Sequence, residues 1–268
     1  MKKITPVAAE PENRYNIRVL DRALGILALL ADGKPRSLQQ LSEEIRLSPS
    51  TTFRQLATLS SYAYVQRDEQ TSQYVLGRAC LELARAYYEG NDLRRIALPE
   101  LERLRNETKE TIHLAVLDRT EVVYIEKLQG LHAIGLMGSR LGGRAPAYCT
   151  GVGKAMLAHE PPQVVRQYFV RRKLQRFTKN TITSFAGLVA ELASIHDQGY
   201  ALDHGEHESQ VRCVAAPIFD GKGNVIAALS ISGPEDRMEP IERNRPMIEN
   251  ARQTARKISS MLGYAAWQ

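Results

Sequence analysis

The sequence lacks the features that would place it in a membrane or in an oxidising compartment. Its three cysteines, Cys80, Cys149 and Cys213, are far apart and odd in number, which argues against a disulfide framework and favours a reducing cytoplasm. The longest apolar run, residues 23–31, is far shorter than the roughly 20 residues that a membrane helix needs. Polar residues follow the basic start 1–3, which predicts no signal peptide.

What is present is the composition of an ordinary folded protein. With 43% hydrophobic and 25% charged residues, the chain is neither disordered nor collagen-like. Its 268 residues allow one large domain or two modest ones, at roughly 150 residues per domain.

The positive charge is unevenly distributed. The net charge is +6, but residues 1–76 contribute only +2, from ten basic and eight acidic side chains. Six basic residues and no acidic one lie between Arg166 and Lys179, for which a solvated helix face is the simpler interpretation. Charge therefore permits a polyanionic partner without locating its site.

Residues 17–61 carry the pattern of three short helices. Ser37 offers an N-cap oxygen for the second helix, and Pro49 suits the first position of the third because its missing N–H costs nothing there. A tight connection at 46–48 joins these two helices, as in a helix-turn-helix. The apolar residues that predict the first helix, over 17–31, are Ile17, Leu20, Ala23, Leu24, Leu27 and Leu30.

The third helix is predicted to turn Phe53, Leu56 and Leu59 inward and a polar row outward. In a major groove, Arg and Gln side chains can pair bidentately with base edges, and hydroxyls can hold phosphates. A helical module that binds protein instead of DNA is the alternative. The residues assigned to DNA are Ser48, Ser50, Thr51, Thr52, Arg54 and Gln55, with Arg67 in the hairpin that follows.

The remaining pattern predicts a winged domain followed by an α+β domain. Two β-rich runs, 62–67 and 73–76, flank a polar turn and predict a hairpin, the wing. The predicted order is a flexible arm at 1–14, a winged helix-turn-helix at 15–76, a linker helix at 77–90 and a domain at 91–268. In that last domain, helices surround a central antiparallel sheet. Its strands are predicted at 113–118, 121–128, 214–219 and 225–232, and its helices at 99–108, 154–159, 162–170, 184–197 and 240–262.

Two motifs of the second domain point to a small polar ligand. Residues 151–154 (GVGK) lack the spacing and the Ser or Thr of a phosphate loop. They predict backbone N–H groups that approach a small anion, not nucleotide hydrolysis. Ser230 and Ser232 share one face of an otherwise apolar strand. Two hydroxyls there suit a polar ligand pocket better than a dry core.

An enzyme or a zinc centre is the alternative for this domain. His204 and His207 lie among carboxylates, and His113, Cys149 or Cys213 could complete a zinc site, but the spacing matches no standard ligand pattern. Cys213 could act as a nucleophile beside a histidine. A buried cysteine in a strand is the commoner case, so the sequence favours a protein that is not an enzyme.

Taken together, these stretches resemble the IclR family of bacterial transcriptional regulators. The resemblance covers nearly the whole chain from about Val19. It is strongest to the sugar-acid-sensing, ketodeoxygluconate-regulator-like branch, through residues 109–114 and 180–183. The motifs that carry it are 50–54 (STTFR), 74–77 (YVLG), 110–114 (ETIHL), 151–158 (GVGKAMLA), 212–217 (RCVAAP) and 229–234 (LSISGP).

The resemblance implies a winged helix-turn-helix joined by a helix to a GAF-like effector-binding domain, assembled as homodimers and commonly as dimers of dimers. It implies a repressor of a sugar-acid or small-carboxylate operon that binds double-stranded operator DNA and a small acidic effector, with no cofactor and no membrane partner. The effector-binding residues that it brings over are Met137, Gly151, Val152, Asp203, Cys213, Ser230 and Ser232.

Three positions depart from the family pattern. Pro49 replaces a frequent Lys and removes a phosphate contact. Ala63 replaces a usual Gly and is strained by roughly 1 kcal/mol if that position needs a positive φ. Gln210 replaces a usual Gly in the loop that borders the pocket. A DNA-binding protein without a ligand therefore stays open as a further alternative.

Overall fold

A computed structural model describes residues 17–90, 92–132 and 138–265. The chain divides into two compact units, Met1–Gly90 and Asn91–Gln268. The predicted arm at 1–14 and the predicted effector residue Met137 lie outside the described residues. None of the helices in the described ranges has the length and apolarity to span a membrane.

The first unit packs three helices against a hairpin. Its helices are α1 (Arg18–Leu30), α2 (Leu38–Ile45) and α3 (Pro49–Ser61), its strands are β1 (Val65–Arg67) and β2 (Tyr74–Leu76), and α4 (Ala79–Glu89) follows. The predicted helix-turn-helix and wing are therefore confirmed. The apolar stripe of α1 is rotated from the predicted one, because Leu20 and Leu24 are exposed. The buried core consists of Ile26, Leu30, Leu41, Leu56, Val65 and Tyr74.

Capping residues explain where α2 and α3 begin. Ser37 Oγ accepts a hydrogen bond from the Gln40 N–H at 3.2 Å, and Gln40 Oε1 accepts one from the Ser37 N–H at 2.9 Å. This capping box satisfies two backbone donors that a helix start leaves free. Ser48 Oγ accepts from the Thr51 N–H at 3.3 Å, and Pro49 is the first residue of α3.

The turn before the hairpin contains the strain expected at Ala63. Its φ is 57°, a conformation that costs a residue with a Cβ roughly 1 kcal/mol. Gly77, which leads out of the hairpin, passes close to this turn. A Cβ at position 77 would lie 2.1 Å from the Ala63 carbonyl oxygen, so this crossing requires glycine.

The second unit is built on a six-stranded antiparallel sheet in the order β5-β4-β3-β8-β7-β6, which confirms the α+β class. The strands are β3 (Thr111–Asp118), β4 (Glu121–Leu128), β5 (Arg144–Pro146), β6 (Ala201–Asp203), β7 (Val211–Phe219) and β8 (Val225–Pro234). The helices are α5 (Asp92–Thr108), α6 (Gly151–Leu157), α7 (Pro162–Phe169), α8 (Phe185–Gln198), α9 (Glu235–Met238) and α10 (Arg245–Met261).

Different helices cover the two faces of this sheet. Helices α5 and α10 pack in one core, and α6, α7 and α8 pack in the other. Leu229 and Ile231 of β8 belong to the first core, and Ala228 belongs to the second. Because side chains alternate along a strand, Ser230 and Ser232 point to the side of α6.

Several elements differ from their predicted bounds. Helix α5 begins at Asp92 and continues through Pro99, and α6 begins at Gly151 instead of residue 154. The predicted helix at 240–262 is divided into a short 3-10 turn (Ile241–Arg243) and α10, and the short helix α9 precedes it. Strands β5 and β6 escape prediction because each has only three residues and, unlike β1 and β2, neither is joined to a second β-rich run by a short turn. Of the basic residues from 166 to 179, only Arg166 lies on a helix, so the helix-face interpretation is wrong.

Candidate functional site

Helix α3 of the first unit presents a polar row to solvent. Ser50, Arg54 and Thr58 are exposed, and their spacing of four residues places them on one side of the helix. Ser48 Oγ lies 3.2 Å from Ser50 Oγ and 2.9 Å from Thr51 Oγ1. Three hydroxyls therefore gather where α3 begins, one turn before the guanidinium.

Two predicted DNA-binding residues lie on the opposite side of α3. Thr52 is fully buried and its hydroxyl donates to the Ser48 carbonyl oxygen at 3.1 Å, while Gln55 is only 8% exposed. A side chain without access to solvent does not reach a base, so these two assignments are wrong. The physical reason is a rotation of the helix: Thr52, Gln55 and Leu56 face the core. Phe53, which was expected inside, is 51% exposed.

Arg67 lies on the hairpin and is exposed. Its guanidinium carbon is 6.0 Å from the ring centre of Tyr74, the residue that pairs with it across the two strands. The ring lies against one face of the guanidinium, and the Arg67 side chain remains exposed to solvent. The side chain is thus available for a phosphate, and its role in DNA binding stays a prediction.

A cavity in the second unit lies between the sheet and the start of α6. Its empty volume is about 410 Å³, which includes the solvent at its open mouth. Six of the seven predicted effector-binding residues line it: Gly151, Val152, Asp203, Cys213, Ser230 and Ser232. Residues that the prediction missed complete the described wall: His113, Tyr124, Ser139, Thr150, His207, Glu208 and Val211.

Strand register brings these distant residues together. Asp203 of β6 pairs with Cys213 of β7, and Cys213 pairs with Ser232 of β8. On the other side of β8, Ser230 pairs with His113 of β3. Residues directly opposite each other in neighbouring strands share a face of the sheet. Four strands thus contribute to one wall of the cavity.

His113 is the centre of a buried hydroxyl network. Its Nδ1 lies 3.3 Å from Ser230 Oγ and 3.2 Å from Ser232 Oγ, and its Nε2 lies 2.8 Å from Ser139 Oγ. Burial, with the charge of Lys127, lowers the pKa of His113 to about 3. The imidazole is therefore neutral at pH 7 and has one donor and one acceptor nitrogen, which orient the three hydroxyls. The motif at 110–114 contains this residue and is the signal that could have found it.

Asp203 is held in place by the loop that follows it. Its Oδ1 accepts hydrogen bonds from the Gly205 N–H at 3.0 Å and the Glu206 N–H at 2.8 Å. Burial raises the pKa of this carboxyl. Because Asp203 lines the cavity, its other oxygen is suited to accept a hydrogen bond from a ligand hydroxyl.

Lys154, at the end of the GVGK motif, belongs to a buried ion cluster and is not among the lining residues of the cavity. Its Nζ lies 2.5 Å from Glu206 Oε1 and 2.7 Å from Glu191 Oε1. Burial opposes its charge, but the surrounding carboxylates, Asp203 included, raise the pKa of Lys154. Burial also raises the pKa of Glu206 to about 7. The cluster fastens the loop that follows Asp203, through Glu206, to helices α6 and α8.

The chemistry of Cys213 does not favour a nucleophile. Burial raises the pKa of this thiol well above its usual value, and the reactive form of cysteine is the thiolate. Within the part of the chain that the structure describes, no three His, Cys, Asp or Glu side chains are grouped to hold a metal ion. His204 Nδ1 instead lies 3.4 Å from Glu242 Oε1, and the His207 ring packs edge-on against Phe177.

The described wall of the cavity contains two carboxylates, Asp203 and Glu208, and neither lysine nor arginine. An acidic ligand would therefore be held by neutral donors. Such donors on this wall include the hydroxyls of Ser230 and Ser232 and the backbone N–H groups that a helix start leaves free, here at the start of α6. Hydrogen bonds from such donors to a carboxylate are stronger than those to a neutral acceptor.

Known protein families match both units of the chain. A family model described as the IclR helix-turn-helix domain matches residues 19–69, and one described as the bacterial transcriptional regulator IclR C-terminal matches residues 85–260. The chain belongs to the IclR family. This IclR-family protein is 37% identical over 243 residues to the HTH-type transcriptional regulator KdgR of Escherichia coli (strain K12). The aligned region covers 91% of this chain and 92% of KdgR.

Further IclR-family relatives cover both units. The HTH-type transcriptional repressor AllR of Klebsiella pneumoniae is 33% identical, over 96% of this chain and 94% of its own length. A crystal structure of an IclR homolog complexed with 4-hydroxybenzoate, from Microbacterium hydrocarbonoxydans, has a TM-score of 0.79 and 28% identity over 91% of this chain and 98% of that chain. The expected family and its KdgR-like branch are thus confirmed: the protein is a DNA-binding transcriptional regulator.

Proposed function

We propose that this IclR-family regulator binds operator DNA through α3 and the β1–β2 hairpin, and that a small carboxylate in the sheet cavity changes its operator affinity. The observation that carries the proposal is the cavity wall formed by His113, Asp203, Ser230 and Ser232. The histidine and the two hydroxyls are within hydrogen-bond distance of one another and line an open cavity on one face of an otherwise apolar sheet. A few polar groups placed in this way are typical of a site that orients a small polar ligand.

On the DNA side, each exposed residue has a role that follows from its chemistry. Ser48, Ser50 and Thr51 hold phosphates at the start of α3, and Arg54 pairs with a base edge in the major groove. Arg67 binds the backbone from the hairpin. Thr52 and Gln55 support α3 from its buried side and do not contact DNA.

A second copy of the chain completes the DNA-binding form. Helix α1 exposes Val19, Leu20 and Leu24, and helix α4 exposes Leu81 and Leu83. Clustered apolar side chains on the surface of a folded protein are typical of an interface. We propose a homodimer or a dimer of dimers that reads two half-sites of a pseudo-palindrome. We also propose that it acts as a repressor, which is how AllR is named, and that it works in the cytoplasm, where its operator is.

The ligand acts by favouring one arrangement of the chain over another, with α4 as the connection. A change of 100-fold in operator affinity requires about 2.7 kcal/mol of coupling free energy. An enzyme that acts on small acids is the less favoured function because the Cys213 thiol is buried and protonated at neutral pH.

The test separates DNA binding from ligand binding. Thermal shifts are measured with aldonic, uronic and short keto acids, since a ligand at 100 times its Kd adds about 2.7 kcal/mol of stability. Ser230→Ala with Ser232→Ala should lose the shift and keep operator affinity, whereas Arg54→Ala should do the reverse. Ser194→Ala, exposed on α8, is the matched control and should change neither.

Two results would contradict the proposal. A protein that selects no sequence from random DNA is not an operator-binding regulator of the proposed kind. A protein that selects DNA but responds to no acid in the panel regulates without this ligand class.

A further inference from the structure

Phe53 is exposed in the middle of the polar face of α3. Half of its surface, 51%, is in contact with solvent, although a phenyl ring gains more than most side chains from burial. The core beneath α3 uses Leu56, with Thr52 and Gln55 beside it. Packing of the first unit therefore does not explain the aromatic ring at this position.

Helix geometry places Phe53 among the residues assigned to DNA. Ser50 precedes it by three residues and Ala57 follows it by four, so all three share one side of α3. Arg54 is the next residue, and all four are exposed. The outer face of α3 thus combines a hydroxyl and a guanidinium with two apolar groups, a phenyl ring and a methyl.

We infer that Phe53 reads a thymine in each half-site, through contact between its ring and the C5-methyl group of the base. In the major groove, thymine is distinguished by this methyl group, which apolar side chains such as Phe recognise by contact. The inference rests on the proposed function, because it requires that α3 enters the major groove.

A second copy of the chain is the competing occupant of this face. The surroundings of Phe53 argue against it, since Ser50 and Arg54 would have to be desolvated in such an interface. The larger sets of exposed apolar side chains in the first unit lie elsewhere, with Val19, Leu20 and Leu24 on α1 and Leu81 and Leu83 on α4. The charge of Arg54 beside the ring instead suits the negative potential of DNA.

The experiment removes the thymine methyl group at one half-site position at a time. The full-length protein first selects its preferred duplexes from a random library. Each preferred thymine is then replaced by deoxyuridine in both half-sites, and Kd is measured. At one position, loss of the methyl should weaken binding about fourfold per half-site, and about 15-fold for two half-sites.

Variants assign that methyl to Phe53. Phe53→Ala should bind thymine and uracil duplexes equally at that position, and Phe53→Leu, which keeps an apolar group, should retain part of the difference. Arg54→Ala is the matched control from the same face. It should lose affinity overall but keep the sensitivity to uracil.

Each remaining outcome overturns the inference. Wild-type protein that tolerates uracil at every position does not read a methyl group. Phe53→Ala with undiminished sensitivity to uracil assigns the methyl to another residue. A smaller oligomer of Phe53→Ala in ultracentrifugation places the ring in an interface between copies. A selection that enriches no sequence overturns the proposed function as well, whereas the first three outcomes leave it standing.

Discussion

Replacing Lys154 with methionine tests how much the buried ion cluster stabilises the second unit. Lys154 is fully buried, and its ammonium contacts Glu206 and Glu191 at 2.5 and 2.7 Å. Methionine has a similar length without the charge, so Lys154→Met leaves Glu206 buried without its cation. Removing one partner of a buried pair is expected to cost about 3–5 kcal/mol.

Most of this loss comes from Glu206. Its side chain is 4% exposed, against 32% for Glu191, which solvent already screens in part. At about 2–4 °C per kcal/mol for a domain of this size, Lys154→Met should lower Tm by about 6–20 °C. Calorimetry at pH 8 measures the loss under conditions where Glu206 of the wild type is ionised.

The loss should depend on pH. Burial raises the pKa of Glu206 to about 7 in the folded protein, from an ordinary value of 4.5. A carboxyl with a raised folded pKa favours folding when protonated, and this contribution fades as pH rises from 4.5 to about 7. Removing the ammonium raises that pKa further, so Lys154→Met should lose more stability at pH 8 than at pH 5.

Two further variants make the reasoning refutable. Lys154→Met with Glu206→Gln removes both charges and should be at least about 2 kcal/mol more stable than the sum of the single changes predicts. Lys257→Met is the surface control: Lys257 Nζ lies 2.7 Å from Glu100 but is 55% exposed, and its loss should cost less than about 1 kcal/mol. A Lys154→Met protein that melts within 2 °C of wild type at pH 8, on the roughly 2–4 °C per kcal/mol scale, would refute the argument.

Three local predictions follow. Ala63→Gly relieves a φ of 57° and should raise the unfolding free energy in urea by about 0.5–1 kcal/mol; a decrease contradicts this. Gly153→Ala brings a Cβ to 2.2 Å from the Ala147 carbonyl oxygen and should lower Tm by several degrees, which an unchanged melting curve would exclude. The NMR signal of His113 should not titrate between pH 8 and 5, because its pKa is about 3. A midpoint above 5 contradicts that value. As pH falls from 6.5 toward 3, only the unfolded state takes up this proton, so stability falls.

Local chemistry by itself determines several features of this protein. Ser37 and Pro49 mark the starts of α2 and α3 because capping acts within a single turn. The spacing of Ser230 and Ser232 places both hydroxyls on one side of β8 because strand side chains alternate. The resemblance to the IclR family adds four more lining residues that no local pattern connects, Gly151, Val152, Asp203 and Cys213, and does not bring over the rest of the described wall.

The tertiary structure alone decided the rest. The outward face of α3 depends on how the helix is rotated against α1 and α2, and either Phe53 or Thr52 inside would still leave Leu56 buried. Lys154 meets Glu191 and Glu206, which lie 37 and 52 residues further along the chain. Helical periodicity leaves the rotation of a short helix open by about one residue, or 100°. A contact between residues far apart in the chain leaves no local sequence pattern. Tertiary packing therefore determines both the rotation of α3 and the contacts of Lys154.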